Sequence, residues 1–266
     1  MNVAIHAQNL GLESAVISAI GDDERGGTLL DILQERGVNT GFITRGDHPT
    51  GTVTVDTSNP SQVRYTIDEP SAWDFIGTPE ISWEPGDLLL HGSLATRNKH
   101  SYKTLKALRA QASARVFDLN LRAPFIHSDR ILELLEGTEI VKVNEEEYTL
   151  LAQWLQLDAD PELGFEAMQE HMGTQELIVT RGSQGAVWVN NLGALQSKVF
   201  PVRVKDTVGA GDSFLAAVLF GISHLLEPQQ TLDYAAALGA MVASKEGANP
   251  LISKTELKSF IDASTQ

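Results

Sequence analysis

The sequence predicts an α/β protein with a doubly wound, mostly parallel sheet and a small antiparallel β lid, on three observations. Short unbroken apolar runs recur at Leu88-Leu89-Leu90, Val116-Phe117, Ile140-Val141 and Leu177-Ile178-Val179. Parallel strands covered on both faces read this way. Between them lie stretches with helical spacing, roughly 102–114, 130–135, 145–155 and 163–172. Finally, 52–56 and 63–67 alternate polar and apolar residues around Ser58-Asn59-Pro60-Ser61. A period of two marks antiparallel strands with one wet and one dry face.

Taken in order, Val3, Ile5, Ala7 and Leu10 mark an opening helix, and Gly11 stands where a helix C-cap would. Residues 15–20 read as a short buried strand. Gly21-Asp22-Asp23-Glu24 suits a helix N-terminus, Leu29, Leu30 and Leu33 give that helix its inner face, and Gly37 ends it. The dry face of the following hairpin, with Val53, Val55, Val63, Tyr65 and Ile67, would cap a site or clasp a second copy. Beyond the four apolar runs, 186–189 and 199–204 read as further strands towards one edge. Two alanine-rich helices, 212–226 and 232–245, close the chain. The expected division is an α/β domain of residues 1–40 and 80–266, with 41–79 as the lid or dimerisation segment.

Composition narrows the function. The 266 residues are 42% hydrophobic and carry a formal net charge of −15. So acidic a surface makes nucleic acid and anionic membrane poor partners, and a phosphate-bearing ligand would need local donors or a metal ion. With no cysteine, disulfides and thiolate metal sites are excluded. No apolar run nears the roughly 20 residues of a membrane-spanning helix, and a cytoplasmic protein is expected. The seven histidines show no metal-ligand spacing.

In a parallel sheet of this kind, ligands gather at the carboxyl ends of the strands. The residues there are Asp118-Leu119-Asn120-Leu121-Arg122, Asn144-Glu145-Glu146-Glu147, Thr180-Arg181-Gly182-Ser183-Gln184-Gly185, and Asp206 to Asp212. The last is the most informative. Gly209-Ala210-Gly211 opens a helix whose first N–H groups lack intrahelical partners, and small residues let a phosphate approach them. Asp212, in the first turn, could take the proton of a hydroxyl attacking that phosphate. An ordinary acidic helix start, or half of a dinucleotide fingerprint, remains open on these residues alone. Likewise, the three glutamates suit any helix N-terminus, the Thr180–Gly185 stretch any tight strand-to-strand turn, and Asp118 with Arg122 a surface salt bridge.

The segment Asp206-Thr207-Val208-Gly209-Ala210-Gly211-Asp212-Ser213-Phe214 resembles the C-terminal signature of the ribokinase/PfkB carbohydrate kinases, and the resemblance extends from Asn2 to Leu251. It implies a ribokinase-like fold, with Asp212 as catalytic base and Gly209, Ala210 and Gly211 as the anion hole. It also implies ATP at Asn144, Thr180, Gly182 and Gly185, and Mg²⁺ organised through water by Glu147. Asp118-x-Asn120-x-Arg122 is similar to the fructokinase and 2-keto-3-deoxygluconate kinase form of this strand end. That assigns Asn2, Asp118, Asn120 and Arg122, with Asp212, to the sugar. A monovalent cation, K⁺ for instance, is implied on the backbone of Asp206, Val208, Val242, Lys245 and Gly247. Leu251 stands where the family usually has a small polar ligand.

The same family begins with a strand bearing an acidic sugar ligand and a Gly-Gly loop, whereas Met1-Asn2-Val3-Ala4 starts on that loop's asparagine. The expectation is a truncated start of roughly 25–35 residues, judged by the lengths of such elements, with weak sugar affinity in this form. The implied activity is transfer of the ATP γ-phosphate to a hydroxymethyl group of a small sugar, fructose favoured, by a homodimer. The alternatives are a 2-keto-3-deoxygluconate kinase and a catalytically silent sugar- or nucleotide-binding relative.

Overall fold

The computed structural model describes residues 1–56, 64–157 and 161–264. They form two compact units, Met1–Ser14 with Glu84–Leu94 and Ala112–Gln266, and Ala15–Trp83 with Ala95–Gln111. The segment 41–79 thus falls in the second unit together with 15–40, 80–83 and 95–111.

The first unit is built on six strands: β5 (Leu88–Gly92), β6 (Ala114–Asp118), β7 (Ile140–Asn144), β8 (Glu176–Thr180), β9 (Ala186–Asn190) and β10 (Gly193–Gln196), in the order β10-β9-β8-β7-β6-β5. The first four are parallel and correspond to the four apolar runs. β9 runs antiparallel to β8 because only the turn Arg181–Gly185 joins them, far too short for a crossover.

Around the sheet lie α1 (Asn2–Leu10), α4 (Ser128–Leu135), α5 (Glu145–Trp154), α6 (Pro161–Met172), α7 (Ala210–Ser223), α8 (Pro228–Ala243) and α9 (Lys254–Ala263). One face, with Val116, Ile140, Ile178 and Trp188, joins a core with Val3, Leu10, Leu215, Val218, Leu232 and Leu238 from α1, α7 and α8. The other, with Phe117, Val141, Val143, Leu177 and Val179, is fully buried as well, and α5 and α6 adjoin β7 and β8. Both faces are therefore covered, as the unbroken apolar runs require.

Three expectations change here. Residues 199–204 form no strand. Pro201 offers no N–H to a ladder, and the Phe200 ring lies tilted against Phe260 of α9 at 5.7 Å. The edge strand is β10 instead. A third helix, α9, follows the two alanine-rich ones, started by a capping box between Ser253 and Glu256.

In the second unit, β1 (Ser18–Gly21) and β2 (Ile43–Gly46) pair in parallel as a sheet of their own, joined by α2 (Glu24–Glu35). Asp23 caps α2, accepting from Gly26 N at 2.8 Å, and also accepts from Thr50 N and Oγ1 at 2.8 and 2.7 Å. The hairpin is present as β3 (Val53–Asp56) and β4 (Arg64–Ile67), antiparallel. Val53 is 54% exposed and Ile67 partly buried. The linking Ser58–Ser61 turn, Val63 and the side chains of Val55 and Tyr65 lie outside the described residues.

α3 (Lys99–Arg109) begins three residues before its predicted start, where Asn98 caps it by accepting from His100 N. Its Ser101 and Thr104 hydroxyls bond the backbone around the short helical turn Ala72–Phe75. Arg97 reaches Asp74 of that turn through Nε and Nη2, both at 2.7 Å, and lies 3.8 Å over the Trp73 ring.

Candidate active site

All the predicted site residues belong to the first unit, and the sheet explains how most of them meet. β6, β7 and β8 are adjacent and parallel, so the residues that end them form one row. Asp118 lies opposite Lys142, and Asn144 opposite Thr180.

Gly209 turns the chain into α7 with φ 81°, the left-handed region. A Cβ there would stand 2.2 Å from the Ala248 carbonyl oxygen, so glycine is required twice over. Ala210 N reaches back to Thr207 O at 3.3 Å, and Ser213 N to Gly209 O at 2.8 Å. Asp212 lies in the first turn, half-buried. Its Oδ2 accepts from Asn2 Nδ2 at 2.8 Å, and Asn2 Oδ1 accepts from Asn249 Nδ2 at 2.9 Å. With its amide oxygen engaged by Asn249, Asn2 presents its NH₂ to the carboxylate.

The loop before α7 is tied to the chain after α8. Asp206 Oδ1 accepts from Val208 N at 2.9 Å and Oδ2 from Gly247 N at 3.2 Å, while Lys205 N and Asp206 N both donate to Ala243 O. Lys245 N donates to Val242 O at 3.0 Å. The five residues predicted around a monovalent cation are thus gathered in one place, and backbone carbonyls are suitable donors for a hard cation. Leu251 is exposed, and its carbonyl accepts from Lys245 Nζ at 3.4 Å.

Asn144 and Glu147 form a capping box for α5: Glu147 N donates to Asn144 Oδ1 at 2.9 Å and Asn144 N to Glu147 Oε2 at 3.0 Å. Glu147 Oε1 also accepts from Leu121 N at 2.7 Å, joining the loop after β6 to the start of α5. Burial pushes this carboxyl above the usual range, against the opposing bonds from Asn144 and Leu121. Among the described residues, no group of three histidine, cysteine, aspartate or glutamate side chains lies together to hold a metal. Mg²⁺ is commonly held by one carboxylate with water and phosphate oxygens; both Glu147 oxygens already accept main-chain N–H groups, so only their second lone pairs would serve a water of such an ion.

Thr180 ends β8 with its hydroxyl on Val143 O at 3.3 Å. Gly182 and Gly185 take φ 53° and 82°, and a Cβ on Gly185 would meet Ser197 Oγ at 2.4 Å. These glycines are demanded by the turn, whatever else they do. Asn120 is left-handed at φ 44°, and its carbonyl accepts from Ser93 Oγ at 3.4 Å. Arg122 is exposed and donates to its neighbour Leu121 O at 2.8 Å.

Asp118 has a partner the sequence reading passed over. Its Oδ1 accepts from Lys142 Nζ at 2.8 Å, with both residues buried. Burial alone would depress the ammonium, but Asp118 foremost, then Glu147 and Asp212, outweigh it and hold Lys142 above the ordinary lysine value. A lysine inside Ile140-Val141-Lys142-Val143 was the signal available. Asn249 carried no comparable signal, since its partner is 247 positions away.

Against known proteins, the model of the "pfkB family carbohydrate kinase" matches residues 1–255. A fructokinase of Escherichia coli is 28% identical over 265 residues, covering 93% of this chain and 85% of the relative. One of Salmonella typhimurium is 30% identical over 273 residues, with the same coverage. Among solved structures, fructokinase from Vibrio cholerae O395 in fructose, ADP and calcium ion bound form superimposes with a TM-score of 0.86 at 23% identity, covering 98% of this chain and 89% of that one. Fructokinase with bound ATP from Xylella fastidiosa gives 0.84 at 22%, covering 100% and 90%.

Proposed function

This chain belongs to the pfkB family of carbohydrate kinases and is a phosphotransferase acting on sugar hydroxyls; from that premise we propose that it moves the γ-phosphate of ATP to a hydroxymethyl group of a small sugar, with fructose as the preferred acceptor. The observation that carries this reading is the Asp212 carboxylate, set directly after Gly209-Ala210-Gly211 in the first turn of α7 and oriented by Asn2. The fructokinases among its relatives, and the fructose carried by the Vibrio cholerae structure, support the acceptor.

In this mechanism Asp212 takes the proton of the acceptor hydroxyl as its oxygen attacks the γ-phosphorus. The bond from that phosphorus to the bridging oxygen breaks, and ADP leaves with the electron pair. The N–H groups at the α7 N-terminus, those of Gly211 and Asp212 foremost because Ala210 N already bonds Thr207 O, stabilise the charge collecting on the phosphoryl oxygens, a preorganised contribution. Thr180, Gly182, Gly185 and Asn144 hold the nucleotide. Asn2, Asp118, Asn120 and Arg122 form the sugar side, Asp118 acting from its bond to Lys142. Glu147 would organise magnesium through water, an ion that neutralises phosphate charge when bound. Asp206, Val208, Val242, Lys245 and Gly247 would hold a monovalent cation by backbone carbonyls. The reading includes a homodimer joined through the β3–β4 hairpin.

The test is ATP consumption by the wild-type chain and by Asp212→Asn, offered fructose, ribose, 2-keto-3-deoxygluconate or adenosine. Fructose is expected to stimulate most, with kcat falling about 10²- to 10⁴-fold in the variant, the range of a lost general base. No stimulation by any acceptor would overturn the kinase reading. Full activity of Asp212→Asn would remove Asp212 from its role.

A further inference from the structure

The centre of the sheet contains one charged residue that the mechanism above does not use. Lys142 interrupts β7, whose neighbours Ile140, Val141 and Val143 are all buried. Central parallel strands are ordinarily apolar throughout, and Lys142 is only 6% exposed. Its ammonium meets Asp118 Oδ1 at 2.8 Å from the residue directly opposite in register. The same nitrogen lies 3.4 Å from the place a Cβ would occupy on Gly211. Lys142 thus comes up from the sheet against the first turn of α7, next to the residue that bears the base.

Two considerations argue against a purely structural purpose. A buried ion pair of this kind is often matched or exceeded in stability by well-packed apolar side chains. A cation beneath a helix N-terminus also opposes the local dipole, which favours anions there. The arrangement becomes favourable when an anion occupies the turn. In a chain of net charge −15, with Asp118, Glu147 and Asp212 acting on the same ammonium, a phosphoryl group brings more negative charge to a region already rich in it.

We propose that Lys142 is a positioning residue for phosphoryl transfer: its ammonium, tethered by Asp118, is a fixed positive charge behind the Gly209-Ala210-Gly211 turn that draws the transferred phosphate onto the helix N–H groups. The inference rests on the kinase reading and adds a resident cation to it. Fixed charges of this type stabilise the transition state without reorganisation.

The experiment compares wild-type, Lys142→Met, Lys142→Arg and the double variant Lys142→Met with Asp118→Leu. Each is checked for folding by circular dichroism and assayed for kcat and for the KM of fructose and ATP. Lys142→Met and the double variant are expected to lose roughly ten- to a hundredfold in kcat, somewhat less than deletion of a direct oxyanion donor. The fructose KM of Lys142→Met should stay within about threefold, and Lys142→Arg should recover part of the rate. A loss confined to fructose KM in the double variant would mark Asp118 as the important group and overturn the proposal. Wild-type kcat in the folded double variant would show the pair to be structural and overturn it too. If Lys142→Met alone does not fold with Asp118 left buried, the double variant is compared with Asp118→Asn. That substitution keeps an acceptor for Lys142 and measures the loss due to the sugar-side carboxylate. A double variant no slower than Asp118→Asn overturns the proposal. A wild-type chain without sugar-dependent ATP consumption would instead sink the kinase reading itself.

Discussion

Asn2 at the start of α1 donates to Asp212 in the first turn of α7 at 2.8 Å, and Asn249 fixes the direction of that amide. An amide donor aimed at one carboxylate oxygen leaves the other available for an incoming hydroxyl. Asn2→Ala is expected to lower kcat about tenfold by releasing the carboxylate from its orientation. Asn2→Asp, which exchanges the donor for a repelling charge, should lower it further. Asn249→Ala should resemble Asn2→Ala more weakly. Steady-state kinetics at saturating ATP and fructose would rank the three, and wild-type rates in all of them would refute the orienting role.

Gly209→Ala should be costly for a different reason. Its Cβ would stand 2.2 Å from Ala248 O on a backbone at φ 81°. The left-handed strain alone is on the order of 1–3 kcal/mol, and the clash adds to it. Chemical denaturation should show a loss of about 2 kcal/mol or more, with ATP KM raised because the α7 N-terminus moves. An unchanged denaturation midpoint would contradict the close approach to Ala248.

The Arg97–Asp74 pair gives a prediction for the second unit. Both side chains are 2% exposed and joined at 2.7 Å. Asp74→Ala removes two charge-assisted hydrogen bonds of Arg97, each worth about 1.5–3 kcal/mol, while the bond from Nη2 to Asp68 O remains. Thermal unfolding should fall by several degrees or more in this variant. A change of less than a degree would mean that solvent reaches Arg97 readily.

Acid sensitivity should arise in part from Asp23. Bonds from the Thr50 backbone and hydroxyl, and from the Gly26 backbone, lower its carboxyl from the ordinary 3.8 to about 2. A depressed carboxyl contributes stability that is present above its unfolded value and lost as pH falls through its folded one. The contribution from Asp23 should therefore fade between about pH 4 and pH 2. Asp23→Ala should be less stable at neutral pH and show a shallower decline across that window in urea titrations at a series of pH values. An identical decline in both proteins would assign the acid sensitivity to other carboxylates.

The strands of the main sheet were legible because burial on both faces leaves no polar alternation to interpret, as in Leu177-Ile178-Val179. The valine-rich stretch 199–204 misled because β-branched content says nothing of whether a neighbouring strand exists. β10 hid in Gly193-Ala194-Leu195-Gln196, whose weak pattern gains meaning only beside β9. At the site, Asp212 and the Gly209–Gly211 turn could be read locally, since helix-start chemistry depends on adjacent residues. Lys142 was legible only as a charge inside an apolar strand, its partner Asp118 lying 24 positions away, and Asn249 not at all, its partner lying 247 positions away. The Ser253–Glu256 capping box that starts α9 was present in the sequence and would have revealed that helix.

The packing of α1 on α7 bears on how the protein is made. During translation the apolar side of α1, with Val3, Ala7 and Leu10, emerges from the ribosome some 200 residues before the helix that covers it. Until then it is an exposed surface of the kind that chaperones shield and that nascent chains aggregate through. The Asn2 amide that bonds Asp212 is thus synthesised 210 positions before that carboxylate and 247 before Asn249. A fragment that ends before Asp212 or Asn249 cannot form this pair of bonds, so the proposed orientation of the carboxylate comes only with the closing of the fold.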